Sequence, residues 1–462
     1  MKETTTSSQT AASAEHELMS SMKISKAVAK MAIPSVISSL VTVVYNMADT
    51  FFVGQTGDAL QVAAVGLTNP IFILLMAFAN MFGMGGSAIA SMALGERNEK
   101  RVKNTSAFIT YGSFIVGIIF MLILYLFMNP ILHLFGANIQ TYDLAKGYTF
   151  HIAYGAPFII WSAASSFVVR AEGASKEAMI GSMIGTIANI VLDPIFISGL
   201  GMGVAGAAIA TTIGNILASL YFLWYFLKKS KVFSIHAKYF TCKNRIFTGV
   251  CSTGLPTAIF SALMSVSMIV LNQILVAYGN APVAAIGIVF KANMFVTFLQ
   301  MGLANGVQPL LGYNYGAGNQ KRFIEVDRFT KKCCVIIGIL SAAAFFAFRE
   351  SIIRIFISDS DVVYYGVRML IGYILSGPFI GILFTNMNCL QSTNNAVYAT
   401  ILSVLRQGLL FIPLLYLLNA LFGINGVAFG QSLTDGIAIV LSIIFWNFKK
   451  SCLKKKLETM EQ

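Results

Sequence analysis

Residues 63–67 read Ala-Ala-Val-Gly-Leu, and residues 284–288 read Ala-Ala-Ile-Gly-Ile, 221 positions later. The same offset relates Asn-Glu-Lys-Arg at 98–101 to Asn-Gln-Lys-Arg at 319–322. It also relates Pro-Phe-Ile at 157–159 to Pro-Phe-Ile at 378–380. One offset kept along the whole chain indicates a duplicated unit. We therefore predict two similar halves, joined by the basic stretch from Lys228 to Arg245.

The composition excludes a chain of soluble domains. Of the 462 residues, 56% are hydrophobic and only 11% are charged, and the mean hydropathy is +0.75. Soluble domains carry roughly a quarter of charged residues to build a water-facing surface. The chain is therefore predicted to be a membrane protein whose partner is the lipid bilayer, and we expect no nucleic-acid partner despite the net charge of +13.

Twelve apolar stretches are each about long enough to cross a bilayer as a helix of about 20 residues. They begin near residues 29, 62, 104, 146, 178, 203, 247, 283, 332, 363, 397 and 426. The stretches are continuously apolar, not alternating, which favours helices over a barrel. We predict an all-α integral membrane protein with twelve transmembrane helices in two six-helix lobes.

The predicted domain boundaries follow from this count. Residues 1–24 are expected to form a disordered cytoplasmic tail, 25–235 the N-lobe, 236–450 the C-lobe and 451–462 a second cytoplasmic tail. Six spans per half is an even number, so both halves enter the membrane in the same direction and form a parallel repeat. Two such bundles facing one cleft favour transport by alternating access, although a channel or a scaffold would also fit a duplicated bundle.

The lysines and arginines predict the orientation. With the N-terminus in the cytoplasm, 26 of the 32 lie in cytoplasmic segments, four lie in outer loops, and Lys291 and Arg406 lie inside predicted spans. Cytoplasmic loops of membrane proteins carry such an excess of positive charge. We expect both termini to be cytoplasmic in a multi-pass protein of a bacterial cell membrane.

Three acidic residues fall inside predicted spans: Asp49, Asp193 and Asp435. Each costs about 2.5 to 3.5 kcal/mol on insertion scales and is a functional-site hypothesis by default. Asp49 follows Tyr45 by one helical turn, and Asp193 follows Asn189 by one turn, which predicts two small polar clusters. The equivalent positions of the second half carry no acid, so the coupling site is predicted in the N-lobe alone.

The coupling ion stays open at this point. Burial disfavours the charged form of a carboxyl group, so these aspartates could hold a proton. Two carboxylates with neighbouring Asn and Thr oxygens could instead bind sodium, since hard cations prefer oxygen ligands.

Four further residues carry weaker hypotheses. Pro34 either allows the first span to bend or simply starts it. Asp435 is predicted to be structural, without an obvious polar partner, and Arg406 to mark a helix end or a structural pair. Lys291 is expected to face the cleft.

Several motifs together resemble the MATE family, the multidrug and toxic compound extrusion transporters, most closely its bacterial MepA-type branch. They are Pro34 with Tyr-Asn-Met-Ala-Asp at 45–49, Asn-Ile-Val-Leu-Asp-Pro at 189–194, and Gln-Pro-Leu-Leu-Gly-Tyr-Asn-Tyr-Gly-Ala at 308–317. The resemblance runs from about residue 25 to 450. One departure concerns the seventh span, where the NorM-type branch has an acid and residues 257–267 here have none.

The resemblance implies a cation site formed by Asp49, Asn189, Asp193 and Thr211, with Tyr45 lining it and Pro34 as the bending point. The same four residues would be the metal ligands if sodium is the ion. Lys291 and Gln308 are candidate cavity-lining residues. The family also implies antiport of organic cation drugs against sodium or protons, with no cofactor besides the coupling ion. We expect a monomer that is not an enzyme.

Two other classes were weighed. The family motifs of an intramembrane aspartyl protease are Tyr-Asp and Gly-x-Gly-Asp, but the two acids here follow Ala48 and Leu192, and Gly-x-Gly-Asp is absent. A flippase for lipid-linked saccharides or an exporter of an endogenous metabolite is the alternative, but a pyrophosphate would call for more cavity cations than Lys291 and Arg406. The 21 Met, 36 Phe and 17 Tyr residues would suit an adaptable, aromatic wall for drugs.

Overall fold

The computed structural model describes residues 17–54, 58–243, 245–357 and 359–461, and in this part of the chain helices are the dominant element and no strand occurs. The first half, the N-lobe, contains seven helices of the bundle. They are α1 (Ile24–Gly54), α2 (Ala59–Gly95), α3 (Glu99–Leu126), α4 (Met128–Leu134), α5 (Tyr142–Ala171), α6 (Ser175–Pro194) and α7 (Gly203–Lys228). A π-helical turn, Ile195–Gly199, continues α6.

The second half, the C-lobe, begins after a linker that contains one short 3₁₀ turn, Ala237–Tyr239. Its helices are α8 (Ile246–Val276), α9 (Asn280–Gly316), α10 (Gln320–Ala347), α11 (Arg349–Arg354), α12 (Ser360–Ile374), α13 (Ile380–Ser392), α14 (Ala396–Val404), α15 (Phe411–Phe422) and α16 (Ile424–Glu461). A second π-helical turn, Leu405–Leu409, connects α14 and α15.

Helix lengths repeat between the lobes as the sequence offset predicts. The helices α2 and α9 have 37 residues each, and α3 and α10 have 28 each. Two equivalent glycines, 221 residues apart, each leave room for a proline of a neighbouring segment. A methyl group added to Gly117 of α3 would lie 2.3 Å from the Pro157 Cα, and one added to Gly338 of α10 would lie 2.7 Å from the Pro378 Cα. The predicted parallel repeat is confirmed at the level of individual contacts.

Eleven helices of the described residues are long and apolar enough to cross a membrane. The tenth predicted span instead consists of two shorter helices, α12 and α13, separated at residues 375–379. Pro378 lies in this interruption, where it lacks an N–H group and disfavours the helical conformation of the residue before it. The equivalent Pro157 lies inside the uninterrupted α5, so the two lobes differ here.

The lobes meet at one face of the bundle, which we call the N-terminal face because α1 begins there. Glycines allow the backbones to touch at this contact. A methyl group added to Gly95 would lie 2.0 Å from the carbonyl oxygen of Tyr313, and one added to Gly316 would lie 2.0 Å from the carbonyl oxygen of Met92. These two contacts are related by the repeat offset, as expected for lobes related by an axis along the membrane normal.

The opposite side, which we call the far face, is packed differently. Gly66 of α2 and Gly287 of α9 are equivalent in the repeat and lie in the far-face part of their helices. At both positions an added methyl group would meet no atom within 4 Å. An added methyl group would therefore clash with the other lobe at the N-terminal-face glycines, whereas Gly66 and Gly287 have space around them.

The predicted N-terminal tail is more ordered than expected where the structure describes it. Leu18 and Met19 are buried, and the Met19 carbonyl oxygen accepts hydrogen bonds from the Asn314 Nδ2 and the Arg322 Nε, both at 3.1 Å. The prediction of a disordered tail is therefore wrong for residues 17–24, while residues 1–16 lie outside the described residues. At the other end, α16 continues through residues 451–461.

Candidate functional site

Three helices of the N-lobe bring a group of side-chain oxygens together. Tyr45 and Asp49 lie on α1 near its far-face end, Asn189 and Asp193 lie at the end of α6, and Thr211 lies on α7. We call these five residues the N-lobe oxygen cluster. The chain after Asp193 forms Pro194 and the π-helical turn, a local distortion that is frequent at functional sites.

Hydrogen bonds connect the members of the cluster. The Tyr45 hydroxyl lies 3.5 Å from the Thr211 Oγ1. The Asn189 amide is oriented by its neighbours: its nitrogen donates to the Asp193 Oδ2 at 3.0 Å, and its oxygen accepts from the Thr211 hydroxyl at 3.2 Å. Helical spacing alone predicts two clusters, whereas the family resemblance implies one site. The residues lie in one cluster, because α1 packs against α6 and α7 packs against α6.

The two carboxylates of the cluster have no cation beside them in the described part of the chain. Asp193 is fully buried and its Oδ1 has no hydrogen-bond partner. Asp49 is half-buried, and the two acids are close enough to interact electrostatically. No described lysine or arginine forms an ion pair with either acid, so their charges are uncompensated by protein.

Tyr148 of α5 is a member of this environment that the sequence analysis missed. It interacts electrostatically with both Asp49 and Asp193. A tyrosine in an apolar span is a weak signal, because 17 tyrosines occur in the chain and helical spacing relates Tyr148 to neither acid. Only the packing of α5 beside the cluster distinguishes it.

The C-lobe contains a buried acid of a different kind. Asp435 is 3% exposed, and its Oδ1 lies 2.7 Å from the Arg406 Nε. Ser376 and Gln431 also donate to this carboxylate, at 3.1 and 2.9 Å. The expectation that Asp435 lacks a polar partner is wrong, whereas the expectation of a structural pair for Arg406 is confirmed. We call Arg406 and Asp435 the C-lobe ion pair.

Aromatic rings complete the environment of this pair. The Arg406 guanidinium lies 5.1 Å from the Phe260 ring centroid and 5.4 Å from that of Phe384, distances at which a cation is attracted to a ring face. Arg406 belongs to the π-helical turn Leu405–Leu409. Asp193 and Asp435 thus each lie beside a π-helical turn, but of these two acids only Asp435 has a cation.

The remaining predicted site residues lie elsewhere. Pro34 is in the interior of α1, ten residues after its start at Ile24, so the alternative that it begins the span is wrong and the hinge stays a prediction. Lys291 is half-buried and forms no ion pair with any described side chain. Gln308 is fully buried and donates to the Gln391 Oε1 at 3.3 Å, so in this conformation it lies in a helix contact and lines no open cavity.

Chemically, the N-lobe oxygen cluster offers carboxylate, amide, hydroxyl and phenol oxygens around two uncompensated negative charges. The unpartnered Asp193 Oδ1 leaves one buried acceptor for a proton or a small cation, since buried polar atoms otherwise have partners. Buried charges in membranes are costly and are retained where an ion or substrate uses them.

Two repeated helical lobes in a bilayer, with one acidic cluster buried in a single lobe, define a two-lobed membrane transporter. The MatE family model matches residues 34–195 and again residues 256–417. The chain therefore belongs to the MatE family, the multidrug and toxic compound extrusion proteins, and the double match coincides with its repeat.

Individual relatives agree with this assignment. The chain is 33% identical over 441 residues to the multidrug export protein MepA of Staphylococcus saprophyticus, covering 94% of this chain and 96% of that protein. It is also 33% identical over 423 residues to MepA of a Staphylococcus aureus strain, covering 91% and 92%.

Solved structures share the fold. A crystal structure of a MATE protein in complex with MaD3S superposes with a TM-score of 0.90 at 24% identity, over 95% of this chain and 98% of that chain. An outward-facing multidrug resistance transporter of the same family gives a TM-score of 0.88 at 24% identity, over the same shares of the two chains. These similarities establish the two-lobed architecture.

Proposed function

We propose that this protein exports organic cations and multiple drugs from the bacterial cytoplasm by antiport against sodium or protons. The single observation that carries the proposal is the pair of uncompensated carboxylates in the N-lobe oxygen cluster. Their negative charge suits a monovalent cation, and the relatives named above are multidrug export proteins. The protein works as a membrane transporter and not as an enzyme, in the bacterial cell membrane and as a monomer.

The direction of transport follows from the charges. Lysines and arginines are concentrated at the N-terminal face, which by the positive-inside rule is cytoplasmic. The lobes pack tightly at this face, so the conformation described here is closed to the cytoplasm and suits release to the outside. Both termini are then cytoplasmic.

The proposed cycle uses the cluster as an ion switch. In the outward-open conformation, Asp49 and Asp193 bind the ion from outside, with Asn189, Thr211 and Tyr45 supplying further oxygens. Ion binding reduces the negative charge of the cluster and lowers the energetic cost of burying it, which favours the transition to the inward-open conformation. Bending of α1 at Pro34 links the occupied cluster to the contact between the lobes. In the cytoplasm, drug entry and ion release reset the cycle.

The energy of the ion gradient is sufficient for export. One elementary charge that crosses a membrane potential of about 100 mV contributes about 2.3 kcal/mol. This corresponds to roughly a fiftyfold concentration gradient of drug, given that each 1.4 kcal/mol is a factor of ten. For an uncharged drug, one ion per molecule is therefore sufficient. Exchange of one ion for a monovalent drug cation moves no net charge, so such a drug is driven by the concentration gradient of the ion or requires a second ion.

The test uses everted membrane vesicles, in which ethidium fluorescence is followed during separate sodium and acid-base pulses. We expect dye movement with one of the two pulses and its loss in Asp49→Asn, with the double variant Arg406→Gln/Asp435→Asn as the control for loss of a buried acid outside the cluster. Dye movement in Asp49→Asn equal to the parent protein would refute the role of the cluster. No dye movement in the parent protein would favour a lipid-linked or metabolite substrate.

A further inference from the structure

A basic groove opens on the C-lobe between α10 and α16. Its volume is about 440 Å³, and seven residues line it: Asp327, Arg328, Lys331, Lys332, Val335, Ile336 and Lys450. Four of the seven carry a positive charge and one carries a negative charge, so the groove is strongly positive. We call it the α10–α16 groove.

The cations of this groove lie at the level where both helices become apolar. On α10, the basic residues end at Lys332, and the following residues 333–347 contain no charged side chain. On α16, the apolar stretch ends at Lys449 and Lys450. In a membrane-spanning chain this boundary lies at the lipid headgroups, and Val335 and Ile336 extend the wall of the groove toward the hydrocarbon.

A buried acid fixes part of the groove. Asp327 is 1% exposed, and its carboxylate lies 2.7 Å from the Lys331 Nζ and 3.8 Å from the Lys450 Nζ. Trp446 also donates to it from its Nε1 at 3.0 Å. Arg328 and Lys332 are exposed and form no ion pair with a described side chain, so their charges remain available to a ligand.

The N-lobe shows what occupies the same surface in the other half of the repeat. Ser106 and Tyr111 of α3 are the equivalents of Asp327 and Lys332, 221 residues earlier. Both bind the linker: the Ser106 hydroxyl donates to the carbonyl of Ser234 at 3.0 Å and the Tyr111 hydroxyl to that of Ile235 at 2.8 Å. The linker thus covers α3, whereas the groove on α10 is open to the membrane interface and has the Lys332 cation where the N-lobe has the Tyr111 hydroxyl.

We infer that the α10–α16 groove binds the headgroup of an anionic phospholipid from the leaflet at the N-terminal face. Arg328 and Lys332 attract the phosphate, Lys331 and Lys450 add a second layer of positive charge, and an acyl chain runs along Val335 and Ile336. Basic pockets between helices at the cytoplasmic boundary are suited to such headgroups. The charges and the apolar wall together favour a lipid over a soluble anion.

The experiment measures lipid binding to the purified full-length protein in detergent by native mass spectrometry. The probes are phosphatidylglycerol and phosphatidylcholine with identical acyl chains. We expect preferential binding of phosphatidylglycerol, and a loss of roughly 25-fold in Arg328→Gln/Lys332→Gln, because each cation near the surface contributes about fivefold in affinity. Lys228→Gln/Lys243→Gln removes two exposed charges from the same face of the molecule and should keep the preference.

Three further results decide the inference. The single variant Lys332→Gln should lose about fivefold in affinity with an unchanged melting temperature, which separates binding from folding. Equal binding of the two lipids by the parent protein would overturn the inference, and so would an equal loss in the Lys228/Lys243 control. Glycerol phosphate that displaced the lipid at equal concentration would also overturn it, because the acyl chain would then contribute nothing.

Discussion

The two lobes share one repeated fold but treat a buried acid in opposite ways. In the N-lobe, Asp193 is buried with one oxygen unpartnered and no described cation beside it. In the C-lobe, Asp435 is bound by Arg406 at 2.7 Å and by two further donors. The repeat therefore preserves the packing of the helices but not the positions of charged residues. One lobe has an acid that is free to bind an ion, while the acid of the other lobe is neutralised by an arginine.

The largest expected effect concerns the C-lobe ion pair. Arg406→Gln would leave Asp435 buried without its cation, at a cost of about 3 to 5 kcal/mol in the free energy of unfolding. The double variant Arg406→Gln/Asp435→Asn should recover most of this loss, because it buries no unpaired charge. Thermal unfolding in detergent measures both, and a single variant as stable as the parent protein would contradict the comparison.

The N-lobe should respond in the opposite way. Asp193→Asn removes an acid that has no partner cation, so we expect unchanged or increased thermal stability. Ion-coupled dye transport in vesicles should fall by at least about a hundredfold, equivalent to about 2.7 kcal/mol in the activation free energy. If the variant instead unfolds more easily and transports at the parental rate, the two acids do not differ as we describe.

The next prediction concerns the contact between the lobes. A methyl group at Gly254 would lie 1.9 Å from the Met81 carbonyl oxygen, whereas one at Gly287 would meet nothing within 4 Å. Gly254→Ala should therefore cost about 1 to 3 kcal/mol and widen the N-terminal face. Distances between spin labels across that face test this, with Gly287→Ala as the control that should leave them unchanged.

The smallest effect is expected for the interior prolines. Pro34 of α1 and Pro256 of α8 are equivalent in the repeat, and both lie inside a helix of 31 residues. Only α1 carries an acid of the cluster, Asp49, after its proline. Pro34→Ala should therefore slow dye transport severalfold by stiffening α1, and Pro256→Ala should leave it close to the parental rate. Equal rates for the two variants would remove the hinge from the mechanism.

Much of the fold could be predicted from the sequence, because apolar length and the 221-residue offset report directly on spans and repeats. The break in the tenth span could not, since Pro157 and Pro378 occur in the same Pro-Phe-Ile context and only one of them interrupts a helix. The docking of Leu18 and Met19 was also missed, because their partners Asn314 and Arg322 lie about 300 residues later.

For the site, the sequence by itself determined which acids lie within the membrane and which neighbour shares a helical turn with each, since both follow from hydropathy and helical periodicity. The family resemblance supplied the set Tyr45, Asp49, Asn189, Asp193 and Thr211 as one site. Only the tertiary structure shows how these residues meet, that Tyr148 lies beside them, and that Arg406 neutralises Asp435. Periodicity describes one helix at a time. The rotation and packing of the helices determine which of their faces meet. In this protein the meeting of faces distinguishes the acid of the N-lobe oxygen cluster from the acid of the C-lobe ion pair.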